Sequence, residues 1–141
     1  MRVNLNSMSE KIVLLIIDDD EDDRQLFIES AKEVDENIIC MTAKDGEEAI
    51  QMLKNKKSQL PDYIFLDLRM PRFSGRKCLE EIKKEKRLLG IPVIIYTTSQ
   101  EVEDATELKK MGAAHFISKP VNSGEIYYLI AAIIGEKWNQ V

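Results

Sequence analysis

Residues 14–24 read LLIIDDDEDDR, an aliphatic run that ends abruptly at six consecutive acids, Asp18 to Asp23. The whole run Ile12–Ile17 lacks a polar residue, which is typical of a strand whose two faces are both covered by helices. A helix that begins directly after this strand uses some of the acids. Asp20 is placed to cap it, and the acids at positions 21–23 lie in its first turn, where the helix dipole favours each of them by about 0.3–1 kcal/mol.

Four further apolar runs follow at intervals of 22 to 29 residues, and helix-like stretches lie between and after them. The strand-like runs are IICM (38–41), YIFLDL (63–68), PVIIYT (92–97) and AHFI (114–117). The helix-like stretches are residues 22–34, 46–56, 75–86, 103–112 and 123–137, with Gly112 and Gly135 where helices often stop.

Strand and helix patterns therefore alternate five times, as in an α/β fold with helices on both faces of a parallel sheet. We expect a flavodoxin-like (βα)5 three-layer sandwich with the strand order 2-1-3-4-5. We expect a flexible N-terminal extension over residues 1–10 and a folded domain over residues 11–135. We expect a short C-terminal tail over residues 136–141 and no effector domain.

The composition excludes several classes of protein. The chain has 141 residues, suited to one domain, and its net charge of −5 argues against binding to nucleic acid or to an anionic membrane surface. Cys40 and Cys78 form no CxxC motif, which fits two reduced thiols. The longest aliphatic run, Ile12–Ile17, is too short for a membrane span or a signal peptide. We expect a soluble, cytoplasmic protein.

Ligands of such a sheet lie beyond the carboxyl ends of the strands, near the point where the strand order reverses. The first strand ends at Asp18 and Asp19, the third at Asp67, the fourth at Thr97, and the fifth runs into Lys119. Three close carboxylates disfavour one another's ionisation unless a cation neutralises them. A set of ligands made only of oxygen atoms favours Mg²⁺ or Mn²⁺ over zinc.

The site also predicts phosphoryl chemistry on the protein itself. The chain has neither a GxxxxGK[ST] nor a GxGxxG nucleotide loop, so no bound nucleotide is indicated. Asp67 is the natural acceptor and would form an acyl phosphate. Lys119 and Thr97, together with the metal ion, would stabilise the phosphoryl oxygens during in-line transfer.

Four motifs together resemble the signatures of the response regulator receiver domain, the CheY-like domain of two-component signalling. They are LLIIDDDEDDR (14–24), PDYIFLDLRMPRFSG (61–75), PVIIYTTS (92–99) and FISKPV (116–121). Their order and spacing match the family, and the resemblance covers residues 11–135. It implies that Asp67 accepts a phosphoryl group from a sensor histidine kinase or a histidine phosphotransfer protein, in a phosphorelay that depends on Mg²⁺.

The resemblance implies a role for each polar residue of the site. Asp19 and Asp67 are direct metal ligands, joined by the backbone carbonyl of Arg69, while Asp18 acts largely through water. Lys119 pairs with the phosphoryl group. The domain would be a signalling phosphoacceptor rather than an enzyme with its own substrate.

The resemblance also implies how the signal leaves the site. Phosphoryl contacts draw Thr97 inward, and Phe116 turns into the vacated space, which alters the surface of the fourth helix, fifth strand and fifth helix. Arg69 and Ser99 flank the route of the hydrolytic water and would set the lifetime of the phosphoryl group. The Lys119–Pro120 bond is often cis in this family.

The remaining expectations concern partners. The chain looks like a stand-alone regulator with no effector domain, and its downstream protein target is not identified by the sequence. The sequences LDLRMP and YTTS resemble those of single-domain regulators paired with phytochrome-type or hybrid kinases. The fifth helix carries two apolar stripes, Ile126, Leu129, Ile130 and Ile133 on one side and Tyr127, Tyr128, Ala131 and Ile134 on the other. Either both stripes pack internally, or the helix forms a homodimer or partner face.

Two alternatives stay open. A phosphorylation-independent pseudo-receiver would bind partners without taking a phosphate, although none of the site residues is missing. IIDDDED also matches the start of a haloacid-dehalogenase phosphatase, with Asp18 as nucleophile and Asp20 as acid-base residue. Glu21 and Asp22 do not continue that pattern, and the chain lacks room for a cap domain.

Overall fold

The computed structural model describes residues 11–98 and 105–139. Five parallel strands form one sheet in the order β2-β1-β3-β4-β5, as the sequence predicted. The strands are β1 (Val13–Ile17), β2 (Ile39–Ala43), β3 (Tyr63–Leu66), β4 (Val93–Thr97) and β5 (His115–Ser118). The helices are α1 (Glu21–Val34), α2 (Gly46–Lys54), α3 (Gly75–Lys84), α4 (Ala105–Lys110) and α5 (Ile126–Asn139), with single 3₁₀ turns at Lys86–Leu88 and Ser123–Glu125.

Helices cover both faces of the sheet, which confirms the three-layer sandwich. The side chains of β1 alternate between the two faces: Leu15 and Ile17 join the core beneath α2, α3 and α4, while Leu14 and Ile16 join the core beneath α1 and α5. All five residues of β1 are at most 2% exposed. This explains why the strand is apolar throughout rather than alternating.

Three helices begin at a short polar side chain that caps them. Asp20 caps α1, Asp45 caps α2 and Ser74 caps α3, each by accepting a hydrogen bond from the backbone N–H three residues later. The acids at positions 21–23 occupy the first turn of α1. The division of the acidic run into a strand end, a cap and a first helical turn is thus confirmed.

One predicted helix end is wrong. Gly112 ends the fourth helical segment with a φ of +112°, a conformation that glycine adopts without steric cost. Gly135, in contrast, lies inside α5, which continues to Asn139. A single glycine in a helix interior costs only about 1 kcal/mol, so flanking residues carry the helix through it.

None of the helices in the described ranges is long and apolar enough to cross a membrane. The N-terminal extension over residues 1–10 lies outside the described residues.

Candidate functional site

Backbone pairing brings the predicted site residues to one edge of the sheet. Ile17 pairs with Leu66 in the register of β1 and β3, and the Asp67 N–H donates to the Ile17 carbonyl at 3.0 Å. The Asp18 and Asp67 side chains therefore follow adjacent strand ends. Lys119 follows β5, and its backbone N–H donates to the Thr97 carbonyl at 2.6 Å. This bond places Lys119 beside the carboxyl end of β4.

Asp18, Asp19 and Asp67 form an acidic cluster. One carboxylate oxygen from each lies within 4.8 Å of the others. Asp18 is 0% and Asp67 5% exposed, whereas Asp19 faces solvent. Three oxygen donors of this kind, two buried and one open to water, fit a hard divalent cation that keeps part of its hydration shell. The cluster thus holds the side chains that the sequence assigned to a metal ion.

The two oxygens of the Asp67 carboxylate have different surroundings. Oδ1 accepts a hydrogen bond from the Thr97 hydroxyl at 2.8 Å and one from the Arg69 N–H at 3.3 Å. Oδ2 lies 3.5 Å from Lys119 Nζ, within ion-pair distance. Thr97 is itself fully buried. One oxygen is therefore fixed by hydrogen bonds, while the other faces the positive charge of the site.

Lys119 is bonded to two acids and faces a third. Its Nζ donates to Asp18 Oδ2 at 2.6 Å and to Asp23 Oδ2 at 2.9 Å. The ammonium group also lies 5.7 Å from the centre of the Tyr96 ring, a cation–π distance. From the sequence, Asp23 was expected only to lie in the first helical turn. The contact joins residues 96 apart in the chain, so no local sequence pattern indicated it.

Burial and charge shift the acidity of these groups in distinct ways. Burial raises the pKa of Asp18 to about 6, although the hydrogen bond from Lys119 acts in the opposite direction. Burial alone would lower the pKa of Lys119, but its hydrogen bonds to Asp18 and Asp23 and the nearby carboxylate charges raise it above its ordinary value. Lys119 therefore keeps its charge, while the crowded acids favour a further cation.

A glycine that was not singled out from the sequence supports the loop that carries Asp67. A Cβ atom on Gly75 would lie 2.2 Å from the Asp67 carbonyl oxygen and 2.7 Å from Leu68 Cα. The Gly75 N–H also donates to the Leu68 carbonyl at 3.2 Å. The start of α3 therefore packs directly on the backbone of Asp67. The glycine directly after the Ser74 cap was the sequence signal for this close approach.

The residues assigned to switching and phosphoryl lifetime are only partly described. Phe116 is half-buried and packs against the core beneath α2, α3 and α4. The side chain of Arg69 is exposed, and Ser99 lies outside the described residues. The Lys119–Pro120 bond is not cis, because no described peptide bond is. The expectation of a cis bond is therefore wrong for this chain. The trans form of an X–Pro bond is in general favoured by about 0.5–1 kcal/mol.

Comparisons with known proteins agree with this geometry. The family model of the response regulator receiver domain matches residues 14–131. The response regulator Rcp1 of Synechocystis is 29% identical over 128 residues, which cover 87% of this chain and 86% of Rcp1. The probable C4-dicarboxylate response regulator DctR of Bacillus subtilis is 36% identical over 94 residues. These residues are 67% of this chain and 38% of DctR, so the similarity spans well under half of that relative.

Solved structures give the same result. The Mn²⁺-bound form of Rcp1 has a TM-score of 0.77 and 28% identity, and the alignment covers 86% of this chain and 91% of that one. The phosphorylated cyanobacterial phytochrome response regulator RcpA has a TM-score of 0.80 and 26% identity, with 88% and 91% covered. The chain belongs to the response regulator receiver domain family.

Proposed function

We propose that the protein is a phosphoacceptor switch in which Asp67 takes a phosphoryl group from a histidine kinase or a histidine phosphotransfer protein. The observation that supports this most directly is the unequal carboxylate of Asp67. Oδ1 is fixed by Thr97 and Arg69, and Oδ2 faces Lys119 at 3.5 Å. A nucleophile held in one orientation beside a positive charge is suited to receive an anionic group.

The reaction can be written for these atoms. Asp67 Oδ2 forms a bond to the phosphorus of a phosphohistidine as the N–P bond breaks. The electron pair of that bond stays on the ring nitrogen, and the imidazole leaves as a neutral group because its other ring nitrogen already carries a proton. Lys119 offers its charge to the phosphoryl oxygens. The Thr97 hydroxyl, now bonded to the carboxylate, can donate to the new group instead. The domain thus receives the phosphoryl group on its own side chain and needs no separate substrate.

Asp18, Asp19 and Asp67 would hold a divalent cation, joined in this proposal by the backbone carbonyl of Arg69. Asp19 and Asp67 would be its direct ligands, and Asp18 would act through water. When bound, Mg²⁺ or Mn²⁺ neutralises the negative charge that collects on the transferring phosphoryl oxygens. The Mn²⁺-bound state of Rcp1 supports a metal ion of this class. We infer Mg²⁺ or Mn²⁺ as the resident ion, rather than zinc, because all the available donors are oxygen atoms.

We propose that the modification is read at the surface formed by α4, β5 and α5. Thr97 is the last residue of β4, and Phe116 lies on the adjacent edge strand β5, where it pairs with Ile95 of β4. A shift of Thr97 toward a phosphoryl group would therefore act on the neighbouring strand. Arg69 and Ser99 would tune the lifetime of the phosphoryl group.

The proposed partners follow from the family and the relatives. The donor is a histidine kinase or phosphotransfer protein, and a phytochrome-type kinase is the first to test because RcpA is described as a phytochrome response regulator. The two free cysteines favour the cytoplasm. The homodimer through α5 stays a prediction. Ile126, Ile130, Ile133 and Ile134 are buried within the domain, and among residues 126–135 Tyr128, which is 70% exposed, is the large apolar side chain most open to a partner.

The test uses acetyl phosphate with Mg²⁺ and intact-protein mass spectrometry. We expect the wild-type protein to gain one phosphate, and Asp67→Asn to gain none. Labelling of Asp67→Asn, or an unmodified wild-type protein, would contradict the proposal. Partner binding that ignores the Asp67 substitution would favour the pseudo-receiver. Sustained turnover of phosphate monoesters would favour the phosphatase, although Asp20 caps α1 and is not part of the acidic cluster found among the described residues.

A further inference from the structure

Lys119 is bonded to an acid that the phosphoacceptor chemistry does not use. Of the three carboxylates around its Nζ, those of Asp18 and Asp23 lie at hydrogen-bond distance, 2.6 and 2.9 Å. Asp67 Oδ2, at 3.5 Å, lies at ion-pair distance only. The ammonium group is thus hydrogen-bonded to Asp18 and Asp23, on the α1 side of the site. It lies near Asp67 without a hydrogen bond to it. Asp18 has a second role in the acidic cluster, whereas Asp23 is not in the metal-binding group found among the described residues.

The first turn of α1 fixes Asp23 for this contact. Its backbone N–H donates to Asp20 Oδ1 at 3.1 Å, which ties Asp23 to the helix cap. The side chain of Asp23 is 37% exposed, against 13% for Lys119, so the pair lies at the rim of the site. Asp22, the residue before it, is exposed in the same turn and provides a natural comparison.

We propose that Asp23 is a positioning residue that restrains Lys119 and so weakens the hold of the site on a phosphoryl group. This inference rests on the proposed function. The carboxylates of Asp23 and Asp67 lie within 3.5 Å of the same nitrogen atom, well inside the ~8 Å over which salt screens charges at physiological ionic strength. A phosphoryl group on Asp67 adds negative charge that Lys119 must balance. The Asp23 carboxylate interacts with the same Lys119 ammonium group and therefore competes with the phosphoryl group for it.

Beryllofluoride with Mg²⁺ is the probe, because it mimics an aspartyl phosphate at equilibrium, without hydrolysis. We expect Asp23→Asn to bind it roughly three- to fivefold more tightly than the wild-type protein in a ¹⁹F NMR titration, the scale of a partly exposed ion pair. Asp22→Asn removes the same charge from the same helical turn and should stay within about twofold of wild type. Asp23→Glu keeps a carboxylate within reach of Lys119 and should also stay within about twofold.

The outcomes separate this inference from the proposed function. If Asp22→Asn tightens beryllofluoride binding as much as Asp23→Asn does, the effect comes from net charge alone. That result would overturn the inference. Unchanged or weaker binding by Asp23→Asn, or tightening by Asp23→Glu, would overturn it as well. In all these cases a wild-type protein that binds beryllofluoride leaves the proposed function intact. A wild-type protein that does not bind the probe overturns both. Urea unfolding checks each variant, and Asp23→Ser replaces Asp23→Asn if the latter is unstable.

Discussion

Gly75 packs directly on the backbone of Asp67, so that a Cβ atom at residue 75 would lie 2.2 Å from the Asp67 carbonyl oxygen. The contact would join a backbone carbonyl oxygen to a Cβ atom attached directly to the backbone. Neither atom can move aside without a shift of the main chain, whereas a flexible side chain could. The position of the loop that carries Asp67 therefore depends on the absence of a side chain at the first residue of α3.

We expect Gly75→Ala to lower the free energy of unfolding by about 1–3 kcal/mol, as overpacking does in a closely packed site. The rate of labelling by acetyl phosphate should fall as well, because the loop that holds Asp67 has to move. Urea unfolding and mass spectrometry measure the two effects. Gly90→Ala is the matched control, since no atom lies within 4 Å of its added methyl group. Equal behaviour of the two variants would show that the contact at Gly75 has no consequence.

Two glycines near helix ends should respond to alanine in opposite directions. Gly112 has a φ of +112°, and an added Cβ atom would lie 2.9 Å from Cε of Lys83, so Gly112→Ala should destabilise the protein by about 1 kcal/mol or more. Gly135 lies inside α5 with open space around it, so Gly135→Ala should stabilise by about 0.5–1 kcal/mol. Thermal unfolding measures both. A loss of stability at Gly135 would show that the helix does not continue through it.

Metal binding should depend on the acids at the strand end and not on those in the helix. Asp19→Ala removes a donor from the acidic cluster and should weaken Mg²⁺ binding by about tenfold or more, measured by calorimetry. Asp22→Ala should leave the affinity unchanged within about twofold, because that side chain lies on the exposed face of the helical turn. Asp23 is unsuitable as this control because it bonds to Lys119. Similar titration curves for the two variants would contradict the division of the acidic run.

The Thr97 hydroxyl should matter more for switching than for phosphorylation itself. Thr97→Val removes the hydrogen bond to Asp67 Oδ1 without a large change in shape. We expect a loss of about 1–3 kcal/mol in unfolding free energy, since a buried carboxylate loses one of its partners. The variant should still take a phosphate, whereas beryllofluoride should no longer shift the NMR signals of β5 and α5. Thr97→Ser keeps the hydroxyl and should behave as the wild-type protein does. Full shifts in Thr97→Val would remove Thr97 from the switch.

The sequence by itself determined the strand order and the edge at which the chemistry collects. Apolar runs that lack alternation predict strands covered on both faces, and in a parallel sheet the residues after each run must meet at one edge. Asp18, Asp67, Thr97 and Lys119 could be placed together for that reason. The cap at Asp20 followed from local backbone chemistry, which acts over three or four residues and is readable from them.

Only the tertiary structure decided the contacts that join distant segments. The bond between Asp23 and Lys119 links residues 96 apart in the chain, and its existence depends on where the first turn of α1 lies relative to the end of β5. The packing of Gly75 on Asp67 depends on the path of a loop, and the continuation of α5 through Gly135 outweighs a local preference to stop. Hydrophobic pattern fixes which elements form and which face they bury. The distances between side chains that follow those elements are set only when the layers pack.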